Sequence, residues 1–140
     1  MAALIQLDVV TPKGAIVSEQ VEMVTAPGYT GVFGVLANHA PLLGTIKVGT
    51  LVYKKDGQDE MMMISGGFCE VSNNKITFLV ESAERGAKID ADRALRAKER
   101  AEKRLAKVVV QKEKVDRARA DAALQRALAR LKAAGQRQAS

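Results

Sequence analysis

Six arginines beyond position 90 have the spacing of a polyanion site built on two helices. Arg93, Arg100 and Arg104 stand at positions i, i+7 and i+11, which share one face of a helix. The same spacing recurs at Arg119, Arg126 and Arg130. If the two helices fold back antiparallel, the two rows converge, and each guanidinium can donate two parallel hydrogen bonds to phosphate oxygens. Periodicity alone nevertheless favours solvent-exposed helix faces, because runs of charge usually lie in water.

The residue types that support catalysis occur singly or in the wrong context. His39 is the only histidine, so no histidine-based metal cluster is available. The only cysteine, Cys69, lies in an apolar run and is expected to be a small buried hydrophobe. The glycines from Gly28 to Gly34 lack the terminal Gly-Lys-Ser/Thr of a phosphate loop and are expected to form a tight loop. The sequence therefore predicts no catalytic site and no metal site.

Charge and composition divide the chain at Gly86. Residues 1–85 hold 6 Lys/Arg and 9 Asp/Glu, whereas residues 86–140 hold 16 Lys/Arg and 7 Asp/Glu. Every Phe, Tyr and Met lies in the first part, which can enclose a modest core, while the alanine-rich second part can bury little apolar area. We therefore expect two domains, residues 1–85 and residues 86–140, with different roles.

The first domain alternates apolar and polar residues in short runs, which is the pattern of half-buried strands. One strand is predicted from Ile16 to Val24, with a break at Ala26-Pro27-Gly28. Asp56-Gly57 and Asn73-Asn74 predict hairpin turns. Further strands are predicted at residues 5–9, 42–46, 50–53, 61–64, 68–71 and 76–80. So many short strands with close turns indicate an antiparallel β-sandwich or flattened barrel.

The second domain has a helical period that begins at Asp90, a predicted N-cap, and ends at Gly135, a predicted stop signal. Alanine and leucine line one face of each helical stretch. Between the stretches, the β-branched run Val108-Val109-Val110 favours a bend without imposing one. The segment therefore either closes as a two-helix hairpin or opens as one helix of roughly 65 Å.

Nucleic acid is a second interpretation of the basic half, because a net charge of +9 over residues 86–140 suits a phosphate backbone. Two features weaken it. The segment contains no aromatic residue for base stacking, and acidic residues are interleaved throughout.

Short motifs follow one another in a recognisable order along nearly the whole chain. In the first domain they are Val10-Thr11-Pro12, Pro27-Gly28 with Gly31 and Gly34-Val35-Leu36, His39-Ala40-Pro41-Leu42-Leu43, Gly49-Thr50-Leu51, Ile64-Ser65-Gly66-Gly67-Phe68, Glu70-Val71 and Ala83-Glu84-Arg85. In the second they are Ile89-Asp90-x-x-Arg93-Ala94 and Arg100-Ala101-Glu102-x-x-Leu105. This ordered set resembles the epsilon subunits of bacterial F-type ATP synthases.

The resemblance implies a ten-stranded β-sandwich followed by a two-helix domain. It implies a non-catalytic rotor subunit that attaches to the gamma subunit and the c-subunit ring, and that couples proton-driven rotation to ATP synthesis. It also implies inhibition of ATP hydrolysis when the helices extend along gamma, where the basic helix meets the catalytic alpha and beta subunits rather than nucleic acid. Such a subunit lies peripherally on the cytoplasmic face of the bacterial membrane and reaches the membrane only through the complex. No apolar run approaches the roughly 18–20 residues that span a bilayer.

The resemblance further implies two sets of site residues. ATP, as a regulatory ligand of the folded hairpin, would contact Glu84, Ile89, Asp90, Arg93, Ala94, Arg100, Arg126 and Arg130. The rotor contact would comprise Gly31, Val32, His39, Ala40, Pro41 and Leu42. No cofactor is required by this interpretation, and the participation of magnesium is left open. Two segments depart from the family pattern: Ala37-Asn38 replaces a frequent Pro-Gly, and Gly86-Ala87-Lys88 replaces a frequently acidic stretch.

Overall fold

The computed structural model describes residues 3–107 and 114–139, which form ten strands, a short 3₁₀ helix and two α-helices. The strands are β1 Ile5–Thr11, β2 Gly14–Val21, β3 Met23–Gly28, β4 Gly31–Leu36, β5 Leu42–Ile46, β6 Gly49–Lys55, β7 Gln58–Ile64, β8 Gly67–Ser72, β9 Lys75–Val80 and β10 Ala83–Arg85. The 3₁₀ helix is Gly86–Lys88, and the α-helices are α1 Ala91–Lys107 and α2 Lys114–Ala139. This arrangement confirms the predicted fold class, a β-sandwich followed by a two-helix hairpin. The predicted bend at residues 108–110 lies outside the described residues.

The strands follow the order β10-β7-β6-β3-β5-β8-β9-β1-β2, with β4 paired to β3. All pairs are antiparallel except β1 with β9, which run parallel. Alternate side chains of β1 to β9 point into one apolar core, whose largest fully buried members include Phe78, Ile5, Leu7, Ile46 and Leu51. The apolar face of each strand therefore fixes its register, because a slip of one residue would expose that face to water.

Arg85 joins the two ends of this strand order. Its Nη2 donates a hydrogen bond of 3.1 Å to the carbonyl oxygen of Ile16, which lies on β2. Since β10 and β2 are the first and last strands of the order, the sheet curls until its two edges meet. The meeting line of β10 and β2 is called the seam below.

The predicted single strand from Ile16 to Val24 was wrong, because the chain forms two strands there. Val17 and Val21 are buried on β2, whereas Val24 and Ala26 are buried on β3. The buried positions change from odd to even numbers, so the inward face is reset near Glu22. At this residue the chain leaves the β2 edge and enters the middle of the sheet beside β6.

The predicted break at Ala26-Pro27-Gly28 was also wrong. β3 continues through Gly28 with Pro27 inside it, and the Pro27 carbonyl oxygen accepts a hydrogen bond of 3.0 Å from Lys47 N. The expected tight loop from Gly28 to Gly34 is instead a hairpin, in which β3 pairs with β4 on either side of Tyr29-Thr30. A proline at the end of a strand loses no hydrogen bond when its missing N–H is not needed.

Helix α1 begins as predicted. The Asp90 Oδ1 accepts a hydrogen bond of 3.0 Å from Arg93 N, and the Asp90 carbonyl accepts one of 3.0 Å from Ala94 N. This is an N-cap, which satisfies amide groups that have no partner inside the helix. Gly135, by contrast, does not end α2, which continues to Ala139.

The hairpin is closed and docked on the sandwich. α1 packs on α2, and Ala94, Ala101, Ala120 and Ala127 are buried. α2 in turn packs on β6, β7 and the 3₁₀ helix. Small side chains let backbones approach closely but bury little area, so the alanine contact between α1 and α2 gives the hairpin limited apolar stabilisation.

Two contacts with the α2 backbone fix the position of this helix on the sandwich. The Thr50 Oγ1 donates a hydrogen bond of 3.2 Å to the Ala129 carbonyl, and thus joins β6 to α2. Gly86 lies so close to α2 that an added Cβ would stand 2.6 Å from the Ala133 carbonyl oxygen and 2.9 Å from that of Met61. Only glycine fits between α2 and β7 at this point.

Candidate functional site

A cavity of about 770 Å³ lies over the seam, where the sandwich meets the hairpin. We call it the seam cavity. Its walls come from five elements: β2, β10, the 3₁₀ helix with the residues that follow it, α1 and α2. The lining residues are Ala15, Ile16, Ala83, Glu84, Arg85, Lys88, Ile89, Asp90, Arg93, Ala94, Ala97, Arg100 and Arg130. A site assembled from this many separate elements exists only while the hairpin stays docked.

Local geometry explains how each wall presents its side chains. Arg93 and Arg100 are seven positions apart on α1 and therefore share the face that borders the cavity. Ile89 is held in an extended conformation, and its N–H donates 3.2 Å to the Gly86 carbonyl, which turns the chain from the 3₁₀ helix into α1. The α1 N-terminus and its Asp90 cap consequently open onto the cavity.

Glu84 and Arg130 form an ion pair across the cavity. The Arg130 Nε lies 3.0 Å from Glu84 Oε2, and Nη2 lies 2.9 Å from Oε1. The two side chains are 39% and 28% exposed, respectively, so water screens the pair. The contact still joins α2 to β10 across 46 positions of sequence.

The seam cavity carries an excess of positive charge. Five of its lining residues are cationic, namely Arg85, Lys88, Arg93, Arg100 and Arg130. Two are acidic, Glu84 and Asp90, and each already accepts hydrogen bonds from the protein. Apolar side chains of isoleucine and alanine complete the walls. A cationic cavity with an apolar wall and a size in the ordinary range of ligand sites suits an organic phosphate.

Seven of the eight nucleotide-site residues named from the sequence line this one cavity: Glu84, Ile89, Asp90, Arg93, Ala94, Arg100 and Arg130. Arg126, the eighth, is half-buried on α2 one turn before Arg130 and is not among the lining residues. The two arginine rows therefore converge only in part, since Arg104 and Arg119 are also exposed and do not line the cavity.

Two cationic residues of the cavity were not among the predicted site residues. Arg85 follows Glu84 and bridges the seam, and its place in the wall depends on the curl of the sheet rather than on any local pattern. Lys88 stands in the segment that departs from the family pattern, which was the available signal for it.

A second cavity, of about 500 Å³, lies at the β3–β4 turn end of the sandwich. We call it the tip cavity. Four of the predicted rotor-contact residues line it: Gly31, Val32, His39 and Leu42. Ala40 and Pro41 connect His39 to β5 and are exposed. Val32 and Leu43 are 71% and 75% exposed, so the rim of the cavity presents apolar surface to solvent.

A turn at Leu36–His39 carries the histidine to this cavity. His39 N donates 3.2 Å to the Leu36 carbonyl, and Asn38 has a φ of 62°. A four-residue turn of this kind requires a positive φ at its third residue, and asparagine tolerates it better than most residues with a side chain. Asn38 thus takes a conformation that glycine adopts readily, so the Ala37-Asn38 departure retains a compact turn.

The thiol of Cys69 lies inside the core of the sandwich. Cys69 is 1% exposed, as expected for a buried hydrophobe. Burial raises the pKa of its thiol, although a hydrogen bond with the Gly44 backbone opposes the shift. Within residues 3–107 and 114–139, no three His, Cys, Asp or Glu side chains group as metal ligands, and no helix has the length and apolarity of a membrane span.

Two family models match the chain. The beta-sandwich domain of the ATP synthase delta/epsilon chain matches residues 4–86, and the long alpha-helix domain of the same chain matches residues 88–135.

Similar proteins named ATP synthase epsilon chain occur in several bacteria. The protein from Nitratidesulfovibrio vulgaris (strain DP4) is 54% identical over 135 residues, which cover 96% of this chain and 98% of the relative. That from Desulfitobacterium hafniense (strain Y51) is 50% identical over 134 residues, with the same coverage of 96% and 98%.

Solved structures with the same fold come from mitochondrial ATP synthases. A chain of the Euglena gracilis enzyme, solved by cryo-electron microscopy as OSCP/F1/c-ring, superposes with a TM-score of 0.78 at 24% identity and covers 91% of this chain and 79% of its own. A chain of the Tetrahymena thermophila central stalk and c-ring gives a TM-score of 0.62 at 13% identity, with coverage of 95% and 98%. At these identities the likeness concerns the fold.

Proposed function

The chain belongs to the ATP synthase delta/epsilon chain family as a non-catalytic epsilon subunit, and we propose that it is a rotor subunit whose hairpin is regulated by ATP. In this proposal the sandwich attaches to the gamma subunit and the c-subunit ring within the central stalk, and it transmits proton-driven rotation. The subunit needs no cofactor for that role. It lies at the cytoplasmic face of the membrane and reaches the bilayer only through the complex.

One observation carries the regulatory part: seven residues named from the sequence as nucleotide contacts surround a single cavity between sandwich and hairpin. Guanidinium groups of Arg93 and Arg100 on α1 and of Arg130 on α2 approach it from two helices. A phosphate chain held between them would join α1 to α2 through charge-assisted hydrogen bonds. ATP would then stabilise the closed hairpin by mass action, since the ratio of closed to open molecules rises by a factor of one plus the ratio of the free ATP concentration to Kd when only the closed state binds.

The second part of the proposal concerns inhibition. When the hairpin leaves the sandwich, its helices become free to extend along gamma, and their excess of Lys and Arg can meet acidic surfaces of the catalytic alpha and beta subunits. The closed state withholds that contact. Its modest alanine packing makes the two states close enough in free energy for a ligand to select between them.

Calorimetry of ATP against the isolated chain tests the nucleotide site. We expect Arg93→Ala to weaken binding at least tenfold, because an arginine bidentate to phosphate is removed from the cavity wall. Arg126→Ala reports whether α2 moves to bring that residue into the site. One titration contains added magnesium, and a second contains a chelator instead. Their comparison decides whether the metal takes part. Equal affinities of the wild type and Arg93→Ala would refute a site in this cavity.

Reconstitution tests the rotor role. The chain is mixed with gamma and the catalytic hexamer, and co-migration at micromolar concentration is expected. Deletion of residues 90–140 should relieve inhibition of ATP hydrolysis while gamma binding persists. Absence of co-migration contradicts the rotor assignment, and inhibition that survives the deletion contradicts the assignment of the switch to the helices.

A further inference from the structure

The turn that carries His39 has little support of its own. Turns with a positive φ at the third position favour proline before it and glycine at it, since proline presets the backbone and glycine has no Cβ. This chain has Ala37 and Asn38 at those positions, with an Asn38 φ of 62°. Both residues are less suited to the turn, so it relies more on contacts from outside.

One such contact comes from the β8–β9 hairpin. The Asn74 Oδ1 accepts a hydrogen bond of 2.8 Å from Asn38 N, while its Nδ2 donates 2.9 Å to the Leu4 carbonyl. The Asn74 backbone carbonyl also accepts 3.2 Å from Gln6 N. Because one partner is a donor and the other an acceptor, the orientation of the Asn74 amide is determined by its own hydrogen bonds.

Asn74 is itself held firmly in place. Asn73 and Asn74 have φ values of 53° and 59°, the conformation of a two-residue turn that matches the twist of a hairpin. On either side of it, Ser72 pairs with Lys75 in the ladder of β8 and β9. The amide of Asn74 is therefore a fixed point to which the Asn38 turn is tied.

The other hydrogen bonds of residues 37–41 stay within residues 36–41. His39 N donates to the Leu36 carbonyl, and His39 Nδ1 lies 2.7 Å from the Ala40 carbonyl oxygen. Among the described residues, the bond between Asn38 and Asn74 is the one that ties residues 37–41 to a distant part of the fold. The side chains of residues 38–41 are exposed, so packing contributes little to holding this segment.

We propose that Asn74 is a positioning residue for the rotor contact, which fixes residues 37–41 so that His39 and Leu42 face the c-subunit ring together. The inference rests on the c-ring contact in the proposed function. Asn74 itself need not touch the ring. It acts by removing the alternative conformations of the turn before binding, so that less conformational freedom is lost on association.

Asn74→Gly is the sharpest test, because Asn-Gly is a preferred pair for this hairpin turn and the strands are retained. Amide hydrogen exchange of Asn38 in the isolated full chain should become about fivefold faster once its acceptor is lost. Asn74→Asp keeps an acceptor oxygen for Asn38 N but loses the donor to the Leu4 carbonyl, so it should restore part of the protection of Asn38. Asn73→Gly, at the neighbouring turn position, is the matched control and should leave it unchanged. Unchanged exchange in Asn74→Gly overturns the proposal.

The second experiment measures binding of the variants to the purified gamma–c-ring complex in detergent. Asn74→Gly should weaken binding about three- to tenfold, with partial recovery in Asn74→Asp and no loss in Asn73→Gly. Equal losses in the two glycine variants would indicate general damage to the hairpin and overturn the positioning role. His39→Ala and Leu42→Ala test the contact separately. If they weaken binding and Asn74→Gly does not, the inference fails alone. If none of the variants weakens binding, the proposed c-ring contact fails with it.

Discussion

Arg130 of α2 and Glu84 of β10 meet in a two-point contact, with Nη2 2.9 Å from Oε1 and Nε 3.0 Å from Oε2. The same arginine is one of the cationic groups that line the seam cavity. If an anion binds the seam cavity as proposed, it competes with the Glu84 carboxylate for Arg130. The ion pair that joins the hairpin to the sandwich and the proposed anion site therefore share the side chain of Arg130.

Glu84→Gln should therefore strengthen the binding of inorganic tripolyphosphate to the isolated chain. The change removes a negative charge from the cavity and releases Arg130, and one charge at a few ångströms in partly solvated surroundings is worth about 1 kcal/mol or more, about fivefold in affinity. Isothermal titration calorimetry measures the effect. Glu81→Gln, a change at an exposed residue outside the cavity, is the control. Weaker binding in Glu84→Gln would contradict the competition.

Gly86→Ala should open the hairpin. The new Cβ would stand 2.6 Å from the Ala133 carbonyl oxygen and 2.9 Å from that of Met61, and neither backbone atom can yield without moving α2 or β7. We expect a larger open population by fluorescence transfer between sandwich and α1, and stronger inhibition of ATP hydrolysis in the reconstituted complex.

Gly135→Ala is the matched control for that experiment. A Cβ at Gly135 meets no atom within 4 Å, and the residue lies inside α2. Alanine favours the helix over glycine by about 1 kcal/mol, so this variant should be at least as stable as the wild type and should stay closed. If the open population of Gly86→Ala equals that of the wild type, the close approach of Gly86 to α2 does not hold the hairpin closed.

Asp8 should give the sandwich a pH-dependent contribution to stability. Partial burial tends to raise the pKa of Asp8, but hydrogen bonds from Gln6 and Ser18 and the ion pair with Lys75 outweigh it and hold the pKa below its ordinary value of 3.8. A carboxyl group with a lowered pKa stabilises the fold fully above its ordinary pKa, and this contribution is lost as the pH falls through the folded-state pKa.

The free energy of unfolding in urea should accordingly be lower for Asp8→Asn than for the wild type at pH 7, and the difference should shrink as the pH falls below 3.8. Asp59→Asn, at an exposed position of β7, is the control and should show little difference at either pH. A gap that widens on acidification would reverse the sign argued here.

Cys69 should resist thiol reagents in the folded protein. Its side chain is 1% exposed and burial raises its pKa, so the reactive thiolate is both scarce and inaccessible. We expect maleimide labelling to be complete in denaturant and at least a hundredfold slower in buffer, because labelling requires the core to open. Rapid labelling of the native chain would contradict the packing of β8.

Local patterns predicted the elements well and their relations poorly. Alternation located most strands, and Asp90 marked the start of α1. The division between β2 and β3 was missed, although Val21 and Val24 are three positions apart in sequence and cannot both face the core from one regular strand. Pro27 was overvalued as a break, because whether a missing N–H matters depends on the neighbouring strand.

The candidate site likewise was predictable where its residues are neighbours in sequence and not where the tertiary fold brings them together. The family resemblance named Ile89, Asp90, Arg93 and Ala94 as site residues, and their closeness in sequence keeps them together at the start of α1. Arg85 entered the cavity through closure of the seam. Arg126 does not line the cavity, because the contacts of α2 with Gly86 and β7 set the rotation of the helix about its axis. The helical period of the sequence carries no information about that rotation.

The bridge from Arg85 to Ile16 also bears on synthesis. It connects residues 69 positions apart, and β1 lies beside β9, so the sandwich can close only after β10 has left the ribosome. The helices come last and contribute no strand to the sheet. We therefore expect the sandwich to fold during translation as soon as β10 is free, before the two helices that dock on it have been synthesised.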